Sequence, residues 1–107
     1  MSTDPVFIEN RIQEIINSVV NIILEHVERE NDVELFIFGS RAHQNGGAHS
    51  DIDLALSSTT VSDKAFQDIK RDVNNIRTLY TIDLVFLQKI DADFKKIITS
   101  EAVKIYG

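Results

Sequence analysis

A pair of aspartates two residues apart, Asp51 and Asp53, constrains what this chain can fold into more than any other feature. The pair opens a short apolar run, Ile52 to Leu56, and another apolar run, Val33 to Phe38, precedes it. The loop between the runs, residues 39–50, contains three of the four glycines. Branched and aromatic runs separated by such a loop are typical of neighbouring β-strands. Because alternate side chains of a strand share a face, both aspartates point to one side of the predicted sheet.

Hydrophobic periodicity predicts the other elements of the chain. In order, they are a helix from Pro5 to Glu30, strands Val33 to Phe38 and Ile52 to Leu56, a helix from Ser62 to Arg77 capped by Ser62 or Asp63, a strand from Thr81 to Leu87, and a short helix around Phe94, Ile97 and Ile98. Residues 103–106 fit either a last helical turn or an edge strand. The α-β-β-α-β-α order predicts one α/β (α+β) domain over residues 1–107, with a mixed sheet and helices packed on one face.

The predicted connections bring a third aspartate to the same corner of the sheet. The strands of Asp53 and Asp83 are joined by a crossover helix, so they should run parallel and begin at the same end. The first two strands have no helix between them, which favours an antiparallel pair and brings Gly39 and Ser40, after the first strand, to that corner. We therefore predict that Asp51, Asp53 and Asp83 are neighbours beside the Gly-Ser pair.

The residue types at this corner are those of a phosphate-handling metal site. Three crowded carboxylates raise one another's pKa unless a positive charge lies between them. Oxygen ligands suit Mg²⁺ or Mn²⁺, and two such ions can activate an attacking oxygen and stabilise a leaving one in displacement at phosphorus. A Gly-Ser turn can hold phosphate oxygens, and an arginine can bind a terminal phosphate. The candidate metal ligands are Asp51, Asp53 and Asp83, and the candidate phosphate contacts are Gly39, Ser40 and Arg41.

Length and charge exclude several classes of protein. A chain of 107 residues is sufficient for one compact core. Its net charge of -6 argues against a protein that binds long nucleic acids through their phosphates. The absence of cysteine excludes disulfides and thiolate metal sites. No signal peptide and no apolar run of about 18 residues are recognisable, so we expect a cytoplasmic protein that does not bind membranes.

The three histidines do not form a metal site in this interpretation. His43 and His49 lie in the polar loop without a third imidazole, and His26 lies among glutamates on the first helix, so all three are expected at the surface. On that helix, Ile22 and Leu24 widen the apolar stripe beyond what one contact needs, which hints at a protein partner.

The motif as a whole resembles a known family. Gly39-Ser40, ten intervening residues, Asp51-Ile52-Asp53 and the later strand residue Asp83 resemble the DNA polymerase β-like nucleotidyltransferase superfamily. The small size and the Gly39-Ser40-Arg41 sequence look like the MNT-type minimal nucleotidyltransferases, which are antitoxin-like partners of HEPN-domain proteins. The resemblance covers about residues 8–106.

The resemblance implies roles for individual residues. Asp51 and Asp53 would ligate two metal ions, and Asp83 would ligate the catalytic ion and help deprotonate the acceptor hydroxyl. Gly39 and Ser40 would bind the β- and γ-phosphates of a nucleoside triphosphate, such as ATP, so that the α-phosphorus is attacked and pyrophosphate leaves. The helical substrate domain of larger relatives has no counterpart here, so a second chain, such as a HEPN-type toxin or a homo-oligomer partner, is expected to supply acceptor recognition.

Three functions remain open at this point. The first is AMP transfer to a protein hydroxyl, with tyrosine as the natural acceptor. The second is a non-catalytic antitoxin that neutralises its partner by binding, which the broad apolar stripe of the first helix would favour. The third is transfer to a small molecule such as an aminoglycoside, which the missing second domain disfavours.

Overall fold

The computed structural model describes residues 10–27, 32–38 and 51–107. Its elements are α1 (Asn10–Glu25), β1 (Glu34–Phe38), β2 (Asp51–Ser57), α2 (Asp63–Asn74), β3 (Thr81–Phe86), a short 3₁₀ helix (Leu87–Lys89), α3 (Ala92–Glu101) and β4 (Val103–Tyr106). The predicted start of the first helix at Pro5 lies outside the described residues.

The four strands form one mixed sheet in the order β3-β2-β1-β4. β1 pairs antiparallel with β2 and with β4, whereas β2 and β3 are parallel. The predicted orientations of the first three strands are therefore confirmed. The parallel pair arises because α2 returns the chain from the end of β2 to the start of β3.

One face of the sheet carries the main hydrophobic core. Alternate residues of the strands, such as Ile37, Leu54 and Leu84, pack there against α1 and α2. Ile22 also packs against this core, so the breadth of the apolar stripe on α1 is partly explained within the chain itself. On the opposite face, Ile98 of α3 joins a second, smaller cluster. The buried members of that cluster are Ala55, Leu87 and Ile98. Thus α1 and α2 pack on one face, whereas α3 packs on the other, so the prediction that the helices share one face holds only for α1 and α2.

Two helices end earlier than their apolar periodicity predicts. α1 ends at Glu25 rather than at Glu30, because the N–H of His26 donates to the carbonyl of Ile23 and tightens the last turn. α2 is capped by Ser62, whose hydroxyl accepts from the N–H of Ala65, as one of the two predicted caps. It ends at Asn74 instead of Arg77. Apolar side chains beyond the helix ends still reach the core, which explains the longer pattern. Val27 and Ile76 do this.

The last part of the chain forms a helix and an edge strand. α3 begins after Asp91, whose carboxylate accepts from the N–H of Phe94. After α3, β4 pairs with β1 and closes that side of the sheet, so the edge strand is the correct alternative for residues 103–106. The strand β3 ends at Phe86, one residue before the predicted end, because Leu87 begins the 3₁₀ helix. Within residues 10–27, 32–38 and 51–107, no helix has the length and apolarity needed to cross a membrane.

Candidate active site

Asp51, Asp53 and Asp83 lie at one corner of the sheet. Asp53 of β2 is the register partner of Asp83 on β3 and of Phe38 on β1. Asp51 is the register partner of Thr81, the first residue of β3. Neighbouring strands are about 4.8 Å apart, and residues two apart on a strand are separated by about 6.5 Å. The parallel register therefore places the three carboxylates on a single face, with Asp83 one strand spacing from Asp53 and Asp51 two residues along the same strand from Asp53.

The three aspartates differ in their exposure to solvent. Asp51 and Asp83 are exposed, whereas Asp53 is half-buried in the middle of the group. Asp53 shares its face of β2 with Ala55, which is fully buried in the second cluster. The apolar surface of that cluster thus begins one step along the strand from the central carboxylate.

The electrostatics of the corner converge on Asp53. Burial raises the pKa of its carboxyl group above the usual value, and the negative charges of Asp83 and Asp51 raise it further. All three causes disfavour the charged form of Asp53. A cation placed between the three side chains would stabilise that form and lower the pKa.

The donor set fits a hard divalent cation. Carboxylate oxygens are the ligands that Mg²⁺ and Mn²⁺ prefer, and the like-charge repulsion at Asp53 is what such an ion would neutralise. In the part of the chain that the structure describes, no three His, Asp or Glu side chains already enclose a common point as metal ligands do. The strand register brings the three aspartates close together. To bind one ion jointly, their side chains would have to rotate about the Cα–Cβ and Cβ–Cγ bonds.

The candidate phosphate contacts Gly39, Ser40 and Arg41 lie outside the described residues, as do His43 and His49. Their place along the chain is nevertheless informative. β1 ends at Phe38, directly beside Asp53, so the Gly-Ser pair follows the residue that borders the central carboxylate.

The comparison with protein families agrees with this geometry. The family model described as polymerase beta, nucleotidyltransferase matches residues 10–107. The chain belongs to this nucleotidyltransferase family. As a nucleotidyltransferase of the polymerase beta family, it has the mixed sheet and the acidic corner that its Asp-x-Asp motif predicts. No curated protein matches the sequence.

Solved structures with the same fold come from toxin-antitoxin complexes. A toxin-antitoxin structure with AMP-PNP has 16% sequence identity and a TM-score of 0.65, over 85% of this chain and 72% of that one. A complex of tri-AMPylated Shewanella oneidensis HEPN toxin with MNT antitoxin has 15% identity and a TM-score of 0.63, over 89% and 71%. The MntA-HepT complex has 15% identity and a TM-score of 0.62, over 89% of this chain and 72% of that one. At these identities, the similarity shows the fold.

Sequence reasoning missed a carboxylate that connects two loops at the other end of the sheet. Asp32, predicted only to break the first helix, accepts five hydrogen bonds of 2.6–3.0 Å from Ser58, Thr59 and Thr60. These bonds hold the pKa of Asp32 well below its usual range. The run of hydroxyl residues after β2 was the available signal, because such residues commonly bond to a nearby carboxylate or backbone group.

The prediction for His26 is wrong in one respect. Its side chain is half-buried, and its Nε2 lies 2.9 Å from Oδ2 of Asp72 on α2, so it links two helices and is not simply a surface residue. The pKa of Asp72 is lowered, first by the hydrogen bond with His26 and then by the bond with Arg71. A residue 46 positions away in sequence could not be identified as the partner from helical periodicity.

Proposed function

We propose that this nucleotidyltransferase transfers AMP from ATP to a hydroxyl group of a protein partner, in a reaction that depends on a divalent metal. The observation that carries the proposal is the register of Asp53 with Asp83, with Asp51 on the same face. Nucleotidyl transfer requires positioning and charge neutralisation at the α-phosphorus more than covalent chemistry by the protein.

Each candidate residue has a definite role in this proposal. Asp51 and Asp53 would hold two Mg²⁺ or Mn²⁺ ions, and Asp83 would share one of them. When bound, the ions supply Lewis-acid activation of the attacking and leaving oxygens. Asp83 would also accept the proton of the acceptor hydroxyl. The hydroxyl oxygen would then bond to the α-phosphorus, while the bond between the α-phosphorus and the bridging oxygen of the leaving pyrophosphate breaks.

The phosphate end of the nucleotide is assigned to the segment after β1. Gly39 and Ser40 would hold the β- and γ-phosphates through backbone N–H groups and the serine hydroxyl, and Arg41 would screen the terminal phosphate. Pyrophosphate would then leave from beside Phe38. The chain order supports this assignment, since the Gly-Ser pair comes directly after Phe38, the register partner of Asp53.

The related complexes support a protein acceptor. The AMPylated chain in the Shewanella oneidensis complex is a HEPN toxin, and another complex of the same fold holds AMP-PNP. We therefore propose a HEPN-domain toxin as the acceptor and binding partner of this chain, with a tyrosine hydroxyl as the attacking group. The chain would act as the antitoxin of the pair.

The test supplies ATP labelled at its α-phosphate and measures transfer of labelled AMP to the product of the adjacent gene. Wild-type protein with Mg²⁺ should label that product, and EDTA should prevent labelling. Asp51→Asn, Asp53→Asn and Asp83→Asn should each lower the rate by about a hundredfold or more. Asp93→Asn is the matched control, because it removes one exposed carboxylate from α3 and should leave the rate unchanged.

Two results would contradict the proposal. Full labelling by the Asp51→Asn, Asp53→Asn double variant would remove these residues from the site. Protection of cells from the partner by the same double variant, at normal expression, would favour the non-catalytic antitoxin instead.

A further inference from the structure

Thr81, the first residue of β3, forms a rectangle with the three aspartates of the candidate site. It is the register partner of Asp51, just as Asp83 is the register partner of Asp53. Neighbouring strands lie about 4.8 Å apart, and residues two apart on a strand are separated by about 6.5 Å. A threonine thus occupies the fourth position of a corner whose other three positions hold the candidate metal ligands.

The burial pattern of β3 places Thr81 on the face of the sheet that carries the aspartates. Ile82 and Leu84 are buried in the main core, whereas Thr81 and Asp83 are exposed. Because successive side chains of a strand point to opposite faces, the side chain of Thr81 leaves the sheet on the same side as those of Asp83 and Asp51.

The hydroxyl group of Thr81 has no hydrogen-bond partner among the described residues, and this distinguishes it from the other serine and threonine hydroxyls there. Ser57, Ser62 and Thr78 accept hydrogen bonds from a side-chain amide or from backbone N–H groups. The others donate to the carboxylate of Asp32 or to backbone carbonyl groups of helices; they are Ser18, Ser58, Thr59, Thr60, Thr99 and Ser100. Within the described ranges, Thr81 therefore has the one such hydroxyl that the fold itself does not use.

A hydroxyl at this position adds a polar atom to the corner without adding a charge. The three carboxylates repel one another, and a fourth carboxylate would increase that repulsion. A threonine hydroxyl can instead donate a hydrogen bond to a carboxylate. Donors that bond to a ligating carboxylate hold it in one orientation and so strengthen metal binding. Asp51 is the nearest acceptor, because it lies directly across from Thr81, whereas Asp83 lies two residues along the same strand.

We propose that Thr81 is a positioning residue of the metal site, and that its hydroxyl donates to the carboxylate of Asp51 when a divalent cation is bound. One oxygen of that carboxylate accepts the bond, which leaves the other free for the ion. The bond forms through the same side-chain rotations that bring the carboxylates together around an ion. The inference rests on the proposed metal-dependent transfer and adds a residue that acts on the ion through Asp51.

The first test measures the binding of Mn²⁺ alone to the full-length chain, by electron paramagnetic resonance of the free ion. Thr81→Val replaces the hydroxyl with a methyl group of similar size and keeps a β-branched side chain, which suits a strand. We expect this change to weaken Mn²⁺ binding by about tenfold. Thr81→Ser keeps the hydroxyl and should bind Mn²⁺ as the wild type does.

The transfer reaction supplies a second readout. In Thr81→Val, the Mg²⁺ concentration that gives half the maximal rate should rise about tenfold, while kcat at saturating Mg²⁺ stays close to that of the wild type. A partly unfolded variant would instead have a lower kcat at every Mg²⁺ concentration. Ser57→Ala is the matched control, because it removes a hydroxyl from the same face of the sheet, about 20 Å along β2 from Asp51. It should leave both measurements unchanged.

A double variant tests whether Thr81 acts through Asp51. The combination of Thr81→Val with Asp51→Ala should bind Mn²⁺ no more weakly than Asp51→Ala alone, because the acceptor of the hydrogen bond is already missing. A further loss of about tenfold in the double variant would overturn the assignment, since the hydroxyl would then act on the ion independently of Asp51.

Failure of the inference is distinguishable from failure of the proposed function. If the wild type binds Mn²⁺ and transfers AMP, but Thr81→Val does both equally well, Thr81 does not position the site. The same conclusion follows if Thr81→Ser is as impaired as Thr81→Val. If the wild type transfers no nucleotide, the proposed function fails, and the Mn²⁺ titration still decides whether the Thr81 hydroxyl contributes to metal binding.

Discussion

Asp53 shows at the level of a single residue how the candidate site opposes the stability of the fold. Its pKa is raised above 3.8 by burial and by the charges of Asp83 and Asp51. The folded chain therefore binds this proton more tightly than the unfolded chain does. The stabilising contribution of the protonated group is complete below pH 3.8 and is lost as the pH rises through the raised pKa.

Removing this charge should stabilise the protein in the absence of metal. We expect Asp53→Asn to raise the melting temperature in EDTA at pH 7 by a few degrees and, in Mg²⁺, to lower the transfer rate by about a hundredfold or more, which is a trade between stability and activity. Glu14→Gln, an exposed change on α1 with the same loss of charge, should not alter the melting temperature. Thermal unfolding followed by circular dichroism measures both. A lower melting temperature for Asp53→Asn would mean that the carboxylate is stabilised by a contact within the chain.

At the scale of elements, Asp32 joins the segment before β1 to the segment after β2. Its carboxylate accepts bonds from Ser58, Thr59 and Thr60 at the end of the sheet opposite the aspartate corner. Because these bonds hold its pKa below 3.8, the stabilisation is present above that pH and is lost as the pH falls below it.

The loss of these bonds should be measurable. We expect Asp32→Ala to lower the melting temperature by several degrees near pH 7, and we expect the difference from the wild type to shrink as the pH falls below 3.8. Thr59→Val, which removes one hydroxyl donor, should give a smaller loss, and Thr59→Ser, which keeps the hydroxyl, should be close to the wild type. A difference between Asp32→Ala and the wild type that grows in acid would contradict the assigned role.

The hydrogen bond between His26, just after α1, and Asp72 of α2 leads to a second prediction about the packing of elements. Since His26 lowers the pKa of Asp72, the bond stabilises the fold above the ordinary pKa of 3.8 and weakens as Asp72 is protonated at lower pH. We expect His26→Ala to lower the melting temperature modestly at pH 7, and Arg71→Ala to have a smaller effect because its side chain is more exposed. Combining His26→Ala with Asp72→Ala should cost less than the sum of the single changes, as a double-mutant cycle would show.

The elements that the sequence predicts best are those determined by local chemistry. Ser62 caps α2 through its own hydroxyl, and the alternating residues Ile52, Leu54 and Leu56 of β2 face the main core, so both features are readable from neighbouring residues. The parallel pairing of β2 and β3 follows from the crossover helix. The partners of Asp32 and His26 could not be predicted, because contacts 26 and 46 residues apart depend on how the packed elements meet.

The positions of the candidate site residues on β2 and β3 can also be predicted from the sequence. The parallel register brings Asp83 to Asp53, and that neighbourhood follows from element order alone. The coordination of a metal ion could not be predicted, because it depends on side-chain rotation and not on element order, and within the described residues no three acidic or histidine side chains already enclose a common point.

At the scale of the whole molecule, the site depends on the pairing of the two central strands, β1 and β2, with a strand on each side. β1 borders the central aspartate through Phe38, and its other edge is paired with β4. Val103, Ile105 and Tyr106 also pack against the main core, so β4 stabilises β1 through hydrogen bonds and apolar contacts. Although β4 contains no candidate site residue, it supports the strand that precedes the proposed phosphate contacts Gly39 and Ser40.

Deleting residues 103–107 should therefore abolish activity without removing any site residue. The deletion would leave β1 as an unpaired edge with exposed apolar surface, and we expect aggregation and loss of the cooperative unfolding transition. Lys104→Ala is the control, because it keeps the backbone pairing and removes only an exposed ion pair with Glu34, worth about 0–1 kcal/mol. Sedimentation velocity and the transfer assay should show the control behaving as the wild type, and a soluble, active deletion variant would show that β1 and the aspartate corner hold together without β4.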